Sequence, residues 1–333
     1  MENCSHLLGA TTPLTRSYST ELHFSDGNLI LQADQTCFRV YGGFLADRSL
    51  VFRDMLSFPQ PPDAELMDGV PLVHVPDSAK DLNVFLKAMF LYEFFPPFPA
   101  RTDFPTVSSI LRLSSKYQTE ELYKRALVHF SSAFPMDLSE VTRFPSWELD
   151  NTLLIPVIVL ARDMGIDWVL PYAMYKACSR LNTKQLLRGV SLPKDKSHAH
   201  DDQTEETRYQ LHPDDALRCV EQTLAFVTAA AADLLEFLWV PEIIPGCTRH
   251  AACLANRLSL RRETEAWRSH HHVALLNLVD DHDWSDLAVC HACMGVMHAQ
   301  YEGALQTFWA SLPGRFGLPE WSVLRAMKNE ATK

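Results

Sequence analysis

The stretch that most constrains this chain is Leu29 to Leu56, LILQADQTCFRVYGGFLADRSLVFRDML. It opens on an alternation, with Leu29, Leu31 and Ala33 set against Ile30, Gln32 and Asp34, although Ile30 blurs it. A period of two places successive side chains on opposite faces of a strand. After the turn-prone pair Asp34-Gln35, the run Thr36-Cys37-Phe38-Arg39-Val40-Tyr41 repeats the rule. The period then changes. Phe44, Leu45, Leu50, Val51, Met55 and Leu56 read as one face of a helix pair broken near Asp47-Arg48-Ser49. A hairpin running into two short helices carries no catalytic signature.

Downstream, Phe58-Pro59-Gln60-Pro61-Pro62 stops the second helix, because proline lacks an amide donor and restricts the residue before it. Val70 to Val75 predicts a strand that completes a small sheet, with Pro71 near its edge. Asp77 is placed to cap a helix carrying Leu82, Phe85, Leu86, Met89 and Phe90 at helical spacing. Residues 104–134 predict two helices, the first marked by Val107, Ile110, Leu111 and Tyr117, the second by Leu122, Ala126, Leu127 and Phe130.

This order of parts resembles the BTB/POZ interaction domain. Asp26 before a strand, a second strand ending in Phe38-Arg39-Val40-Tyr41, then Phe44-Leu45-Ala46-Asp47-Arg48-Ser49, Val51-Phe52 and Met55-Leu56 are similar to its core. Tyr41 stands where the family usually has His, while Leu45 and Ser49 hold their places. Leu111 to Gln118 with Leu122 resembles the segment near the end of such domains, Ser114 replacing the usual Ala. Tyr92 comes where these domains carry a Tyr, but Phe94-Phe95-Pro96-Pro97-Phe98-Pro99 then replaces the usual short turn. Val157 to Tyr175 resembles a segment of fungal, basidiomycete-type BTB proteins. The resemblance covers about 24–134 and implies a protein–protein interaction module, an adaptor or scaffold without catalysis of its own. It also implies that Phe44, Leu45, Val51, Phe52 and Met55 supply core and dimer contacts together.

At 333 residues the chain has room for one large or two ordinary domains. A net charge of −11 argues against a general nucleic-acid binder, which needs clustered Lys and Arg. No run approaches the roughly 20 apolar residues that span a bilayer, and no secretion signal opens the chain. Eight cysteines are too sparse for a disulfide scaffold of this length. The expectation is a cytoplasmic or nuclear protein with reduced thiols, binding neither nucleic acid nor membrane.

Past Phe134-Pro135 the pattern stays helical. Ser146 is placed to cap a helix through Leu153, Ile155, Val157 and Leu160, with Pro156 as a kink or break and Gly165 as its left-handed end. Residues 191–213 are polar and charged enough to read as a linker. A long helix is predicted from Pro213 to about Trp239, with Leu217, Val220, Leu224, Val227, Leu234, Leu235 and Leu238 on its stripe. Two further helical segments are predicted at 248–280 and 284–311.

The sharpest chemical signal lies in those segments: Cys247-x5-Cys253 and Cys290-x2-Cys293. Two thiolate pairs can close a tetrahedral zinc site. The x2 half is standard ligand spacing; the x5 half is longer than the usual two to four. His250 and His291 are substitute ligands. Against this stands core packing, with Cys290 on a stripe with Leu287, Met294, Tyr301 and Phe308, and a redox pair at Cys290 and Cys293. His270-His271-His272 with His282 reads as a solvated cluster, since adjacent helical residues point in different directions. His198 and His200 fall in the polar linker.

Leu91-Tyr92-Glu93 matches the short apolar-x-Glu pattern of cullin-binding adaptors, on a segment expected to pack the domain. The aromatics from Phe94 to Phe98 suit an exposed partner surface or a layer packed on the helices behind equally well. No nucleophile elbow, phosphate loop, dinucleotide fingerprint or H-E-x-x-H is present. The reading is therefore α+β: a tail at 1–23, a BTB/POZ-like domain at 24–135 and a helical domain at 136–333 with a polar loop at 191–213. The function expected is a scaffold binding itself or another protein, with one structural zinc in prospect. A cullin-ligase substrate adaptor and a zinc-dependent enzyme built on the Cys/His cluster are the alternatives.

Overall fold

A computed structural model describes residues 16–58, 64–141, 147–192, 207–239, 243–267, 275–279 and 281–333. The fold is mixed, a small five-stranded sheet with helices making up most of the rest. It divides into two compact units, one ending at Phe130 and one beginning at Ser131.

Unit 1 begins with strand β1 (Ser17–His23), continues with β2 (Leu29–Ala33) and β3 (Thr36–Val40), and turns into helices α1 (Gly42–Arg48) and α2 (Leu50–Ser57). Strands β4 (Leu66–Met67) and β5 (Val70–His74) precede helices α3 (Ala79–Phe90), α4 (Phe104–Lys116) and α5 (Glu120–Ser131). The sheet order is β1-β3-β2-β5-β4. This order departs from the sequence expectation in two places. Residues 17–23 are an edge strand running parallel to β3, not a tail, with Leu22 wholly buried. β2 is the central strand, and its five residues are all buried, so Ile30 does not break a pattern; both faces of that strand are covered. Asp68 and Gly69 turn β4 into β5 with positive φ at both positions, the conformation a two-residue hairpin requires.

The helices of unit 1 close on that sheet through a few named groups. Ser49 caps α2 by accepting the amide of Phe52 at 3.1 Å, and its hydroxyl donates to the carbonyl of Tyr117. Phe52 stacks on Tyr117 at 4.6 Å between ring centroids, and Phe85 packs against the same ring. The cap of α3 is Ser78, not Asp77; Asp77 instead accepts from the Tyr117 hydroxyl and pairs with Lys116. Tyr92, expected to pack the domain, is 78% exposed just past the end of α3. The aromatics after it divide their roles. Phe95 is buried against His129, Phe94 lies under the Lys87 ammonium, and Phe98 is exposed at the edge of the His129 ring.

His129 is wholly buried, its Nε2 2.9 Å from the carbonyl of Pro96. Burial pushes its pKa below the ordinary histidine value, and the nearby Arg125 pushes the same way. The unfolded chain then binds more protons than the folded one on the acid side of about 6.5. This contribution to stability is complete above that pH and is lost as pH falls toward the lowered folded value. Urea unfolding at pH 7.5 and pH 5.5 should therefore show unit 1 weakened at the acid pH, with a smaller pH dependence in His129→Gln.

Unit 2 contains helices α6 (Leu154–Met164), α7 (Leu170–Arg180) and α8 (Thr183–Arg188), then strands β6 (Val190–Leu192) and β7 (Thr207–Tyr209). Helix α9 (Pro213–Ala225) leads through a π-helical turn (Phe226–Ala230) to α10 (Ala231–Leu234) and α11 (Glu236–Trp239). Helices α12 (His250–Trp267), α13 (Asp281–Asp286), α14 (His291–Arg315) and α15 (Trp321–Ala331) complete it. The expected helix at Ser146 begins later, at Leu154. Pro156 sits in its first turn, where a missing amide donor costs nothing, and Ser146 lies outside the described residues. Gly165 ends α6 at φ +67. The polar stretch 191–213 is bounded by β6 and β7, which pair antiparallel; its residues 193–206, His198 and His200 among them, lie outside the described residues.

The long helix predicted from Pro213 is broken, and the first half of its stripe is misplaced while Leu234, Leu235 and Leu238 are buried as expected. Leu217 and Leu224 face outward, while Asp215, Ala216, Cys219 and Phe226 are buried. The π-turn admits an extra residue per turn and rotates the helical segment beyond it, so that Leu234, Leu235 and Leu238 come inward. The buried Asp215 carboxylate is matched by a two-pronged bond from Arg162, at 2.9 and 2.8 Å. Near the chain's end Trp309 stacks on Trp321 at 5.0 Å, and the Trp321 indole donates to the Trp309 carbonyl.

Candidate metal centre

The two cysteine pairs meet in unit 2. The sulfurs of Cys247, Cys253, Cys290 and Cys293 all lie within 4.8 Å of one another. Each pair is built the same way, at the start of a helix. Cys247 sits on a turn closed by its amide to the Ile244 carbonyl at 3.1 Å, and Cys253 lies in the first turn of α12. Cys290 is the N-cap of α14, and Cys293 lies in that helix's first turn. The x5 spacing is long because Cys247 stands ahead of its helix, whereas Cys290 is itself the cap. The turn depends on Gly246, whose φ of +77 an L-residue rarely adopts. The Asn256 side chain ties α12 to the carbonyl of Ala288 at 2.6 Å, holding the two helix starts together.

This placement corrects the packing alternative for Cys290. It is not a rung on a helical stripe with Leu287 and Met294 but the residue before the helix begins. Cys253, Cys290 and Cys293 are buried and Cys247 is half-buried. His250 and His291, the substitute ligands, are both exposed and do not belong to the sulfur cluster. His270, His271 and His272 lie outside the described residues, as does the side chain of His282.

The geometry fits a tetrahedral ion. With metal–sulfur bonds of about 2.3 Å, the edge of a tetrahedron of thiolates is about 3.8 Å. Cys290 Sγ and Cys247 Sγ are 3.8 Å apart. A disulfide would bring the sulfurs to about 2.05 Å, so these are separate thiols. The surroundings favour negative charge on sulfur. The Cys290 amide donates to Cys253 Sγ at 3.2 Å. Backbone amides of Cys293 and Thr248 point at Cys290 and hold its thiol down to about 5. Burial pushes Cys253 and Cys293 the other way, upward. A cluster in which Cys290 is ready to ionise while Cys253 and Cys293 resist is completed by a cation, which lets the thiols ionise together. Two helix N-termini facing the same sulfurs add to that preference. Thr248 and the amides of the two helix starts are the parts of the centre that sequence spacing does not reveal.

A cavity of about 260 Å³ abuts the cluster, walled by Ile243, Ile244, Ala251 and Leu254 with Arg257 and His250. No carboxylate lines it among the described residues. The four cysteines can hold a metal ion with every position of a tetrahedron taken by sulfur, the pattern of a structural centre. Soft thiolate ligands suit zinc, copper(I) or iron.

The other residues singled out in the sequence lie in unit 1. Leu45 and Phe52 are core, while Phe44, Val51 and Met55 are half-buried, Phe44 resting on Phe90 at 4.8 Å with the Arg48 guanidinium over its ring. No helix among the described residues is long and apolar enough to cross a membrane. No family model, curated protein or solved structure matches the chain.

Proposed function

We propose that the chain is a protein–protein interaction scaffold, with unit 1 a BTB/POZ-like module of the fungal type and unit 2 closed by one structural zinc on Cys247, Cys253, Cys290 and Cys293. The zinc reading rests on the all-sulfur donor set and its tetrahedral spacing. The module reading is supported by the order of three strands, a helix pair, a strand hairpin and three helices. The observation that carries the interaction reading is a pair of exposed apolar side chains at the two ends of α2. Leu50 opens the helix and Phe58, its C-cap, follows it in extended backbone; they are 50% and 70% exposed. Large apolar side chains left exposed within one short stretch support a partner surface there.

The partner tested first is a second copy of the chain. Sedimentation of the full chain at tens of micromolar should show a dimer. In Leu50→Asp with Phe58→Ser, association should weaken on the order of 30-fold or more if either side chain is an anchor worth about 2 kcal/mol. The melting temperature should hold, since both positions are exposed and aspartate suits a helix start. A wild-type monomer, or a dimer indifferent to both substitutions, would overturn α2 and its cap as the interface.

One observation favours a second reading, the cullin-ligase adaptor. Tyr92 and Glu93 of Leu91-Tyr92-Glu93 are both exposed, so the segment is presented rather than packed. Whether a cullin scaffold co-purifies under native conditions distinguishes the adaptor from the self-associating scaffold.

A further inference from the structure

Unit 2 holds a larger cavity that neither the metal centre nor the scaffold reading uses. It measures about 570 Å³ and lies between α14 and the segment running from the π-turn through α11. That is within the roughly 300–1,000 Å³ typical of small-molecule sites. One wall is a single face of α14: Gln300, Ala304, Thr307 and Ser311 recur at helical spacing, with Arg315 one turn further on. The floor is apolar, from Leu234, Phe237 and Phe308. Asp233 and Glu236 stand on the opposite wall.

The charges are separated rather than paired. Arg315 is held over the Phe308 ring, 5.3 Å from its centroid, by a bond from its Nε to Ser311 Oγ at 3.0 Å. That bond uses Nε and fixes the guanidinium at the cavity that Arg315 lines. Among the described residues neither Arg315, Asp233 nor Glu236 makes an ion pair. The π-turn contributes Ala230 to the lining, and such irregular turns recur at binding sites. A fixed cationic fork on one wall, two carboxylates on the other and an aromatic floor between them suit one ligand chemistry. We propose that this cavity binds a small zwitterion with an apolar body, an amino acid or a short peptide, its carboxylate on Arg315 and its ammonium on Asp233 and Glu236.

Calorimetric titration of the full chain with L-phenylalanine, phenylpropionate and phenethylamine tests this. Phenylalanine should bind about tenfold or more tighter than either analogue, the loss expected when one charged hydrogen-bonded partner is missing. Arg315→Gln should erase the preference over phenethylamine, and Asp233→Asn with Glu236→Gln the preference over phenylpropionate. Phenylalanyl-alanine carries the same two charges further apart, and whichever zwitterion binds tighter identifies free amino acid or peptide as the source. Equal binding of all the probes, no binding of any, or preferences untouched by these exposed-wall substitutions would overturn the proposal.

Discussion

Cys247→Ser should cost the second unit as much stability as Cys293→Ser, although the two cysteines are buried to different degrees. Cys293 is buried and Cys247 only half-buried on a turn. Were the cysteines valued for packing alone, the half-buried one would be worth clearly less than the buried one. As ligands of one ion they are equivalent, because losing either opens the tetrahedron. Structural zinc contributes on the order of 10–16 kcal/mol in peptides that have no other core. Unit 2 has a core of its own around α6 and α7, so the expected loss is smaller, several kcal/mol, and concentrated in α12 and α14. Hydrogen exchange resolved by segment should show both helices losing protection in either variant. A strong chelator should bring the wild type to the same state and leave the variants where they are. A near-silent Cys247→Ser beside a damaging Cys293→Ser would return the four sulfurs to ordinary packing.

Phe52→Ala should destabilise unit 1 by about 3–5 kcal/mol, the range for truncating a fully buried phenylalanine. Its side chain is wholly buried and lies flat against Tyr117, a stacked pair worth about 0.5–1.5 kcal/mol beyond the area it covers. Tyr117 is in turn fixed by Asp77, and burial with that bond raises its hydroxyl well above the ordinary tyrosine value. A cavity beneath Phe52 therefore loosens a ring joining α2 to α3 and α4. Against a total stability of about 5–15 kcal/mol for a domain, the loss is large. Phe52→Leu, which keeps most of the volume, should cost appreciably less. Denaturant midpoints at constant slope give the comparison; an unchanged midpoint in Phe52→Ala would place α2 outside the core.

The features legible in the sequence were those a short window encodes. The alternation of β3, the helical spacing of α3, α4 and α5, and the left-handed glycine at 165 are local signals, and the structure places elements where they fall. β1 escaped because an edge strand needs a partner, and its partner is β3, which comes later in the chain. The stripe on Leu217 and Leu224 misled because periodicity assumes an uninterrupted 3.6-residue turn, and the π-turn at Phe226 breaks that assumption. The cysteine pairs were visible as spacing. Their convergence was not, because it depends on a left-handed Gly246 and on Asn256 reaching Ala288 across the pair of helices. The cavity beside Arg315 had no motif at all. Its walls come from helices about 70 residues apart in sequence, brought together by the fold.

Native mass spectrometry on the full chain, purified without chelator, tests the scaffold and its metal centre in one measurement. The wild type should be a dimer in which each chain carries the mass of one zinc ion, and Cys247→Ser should give chains without metal. Metal-free wild-type chains, in whatever assembly, would contradict the zinc centre. Monomers at the concentration used for sedimentation would contradict the self-associating scaffold.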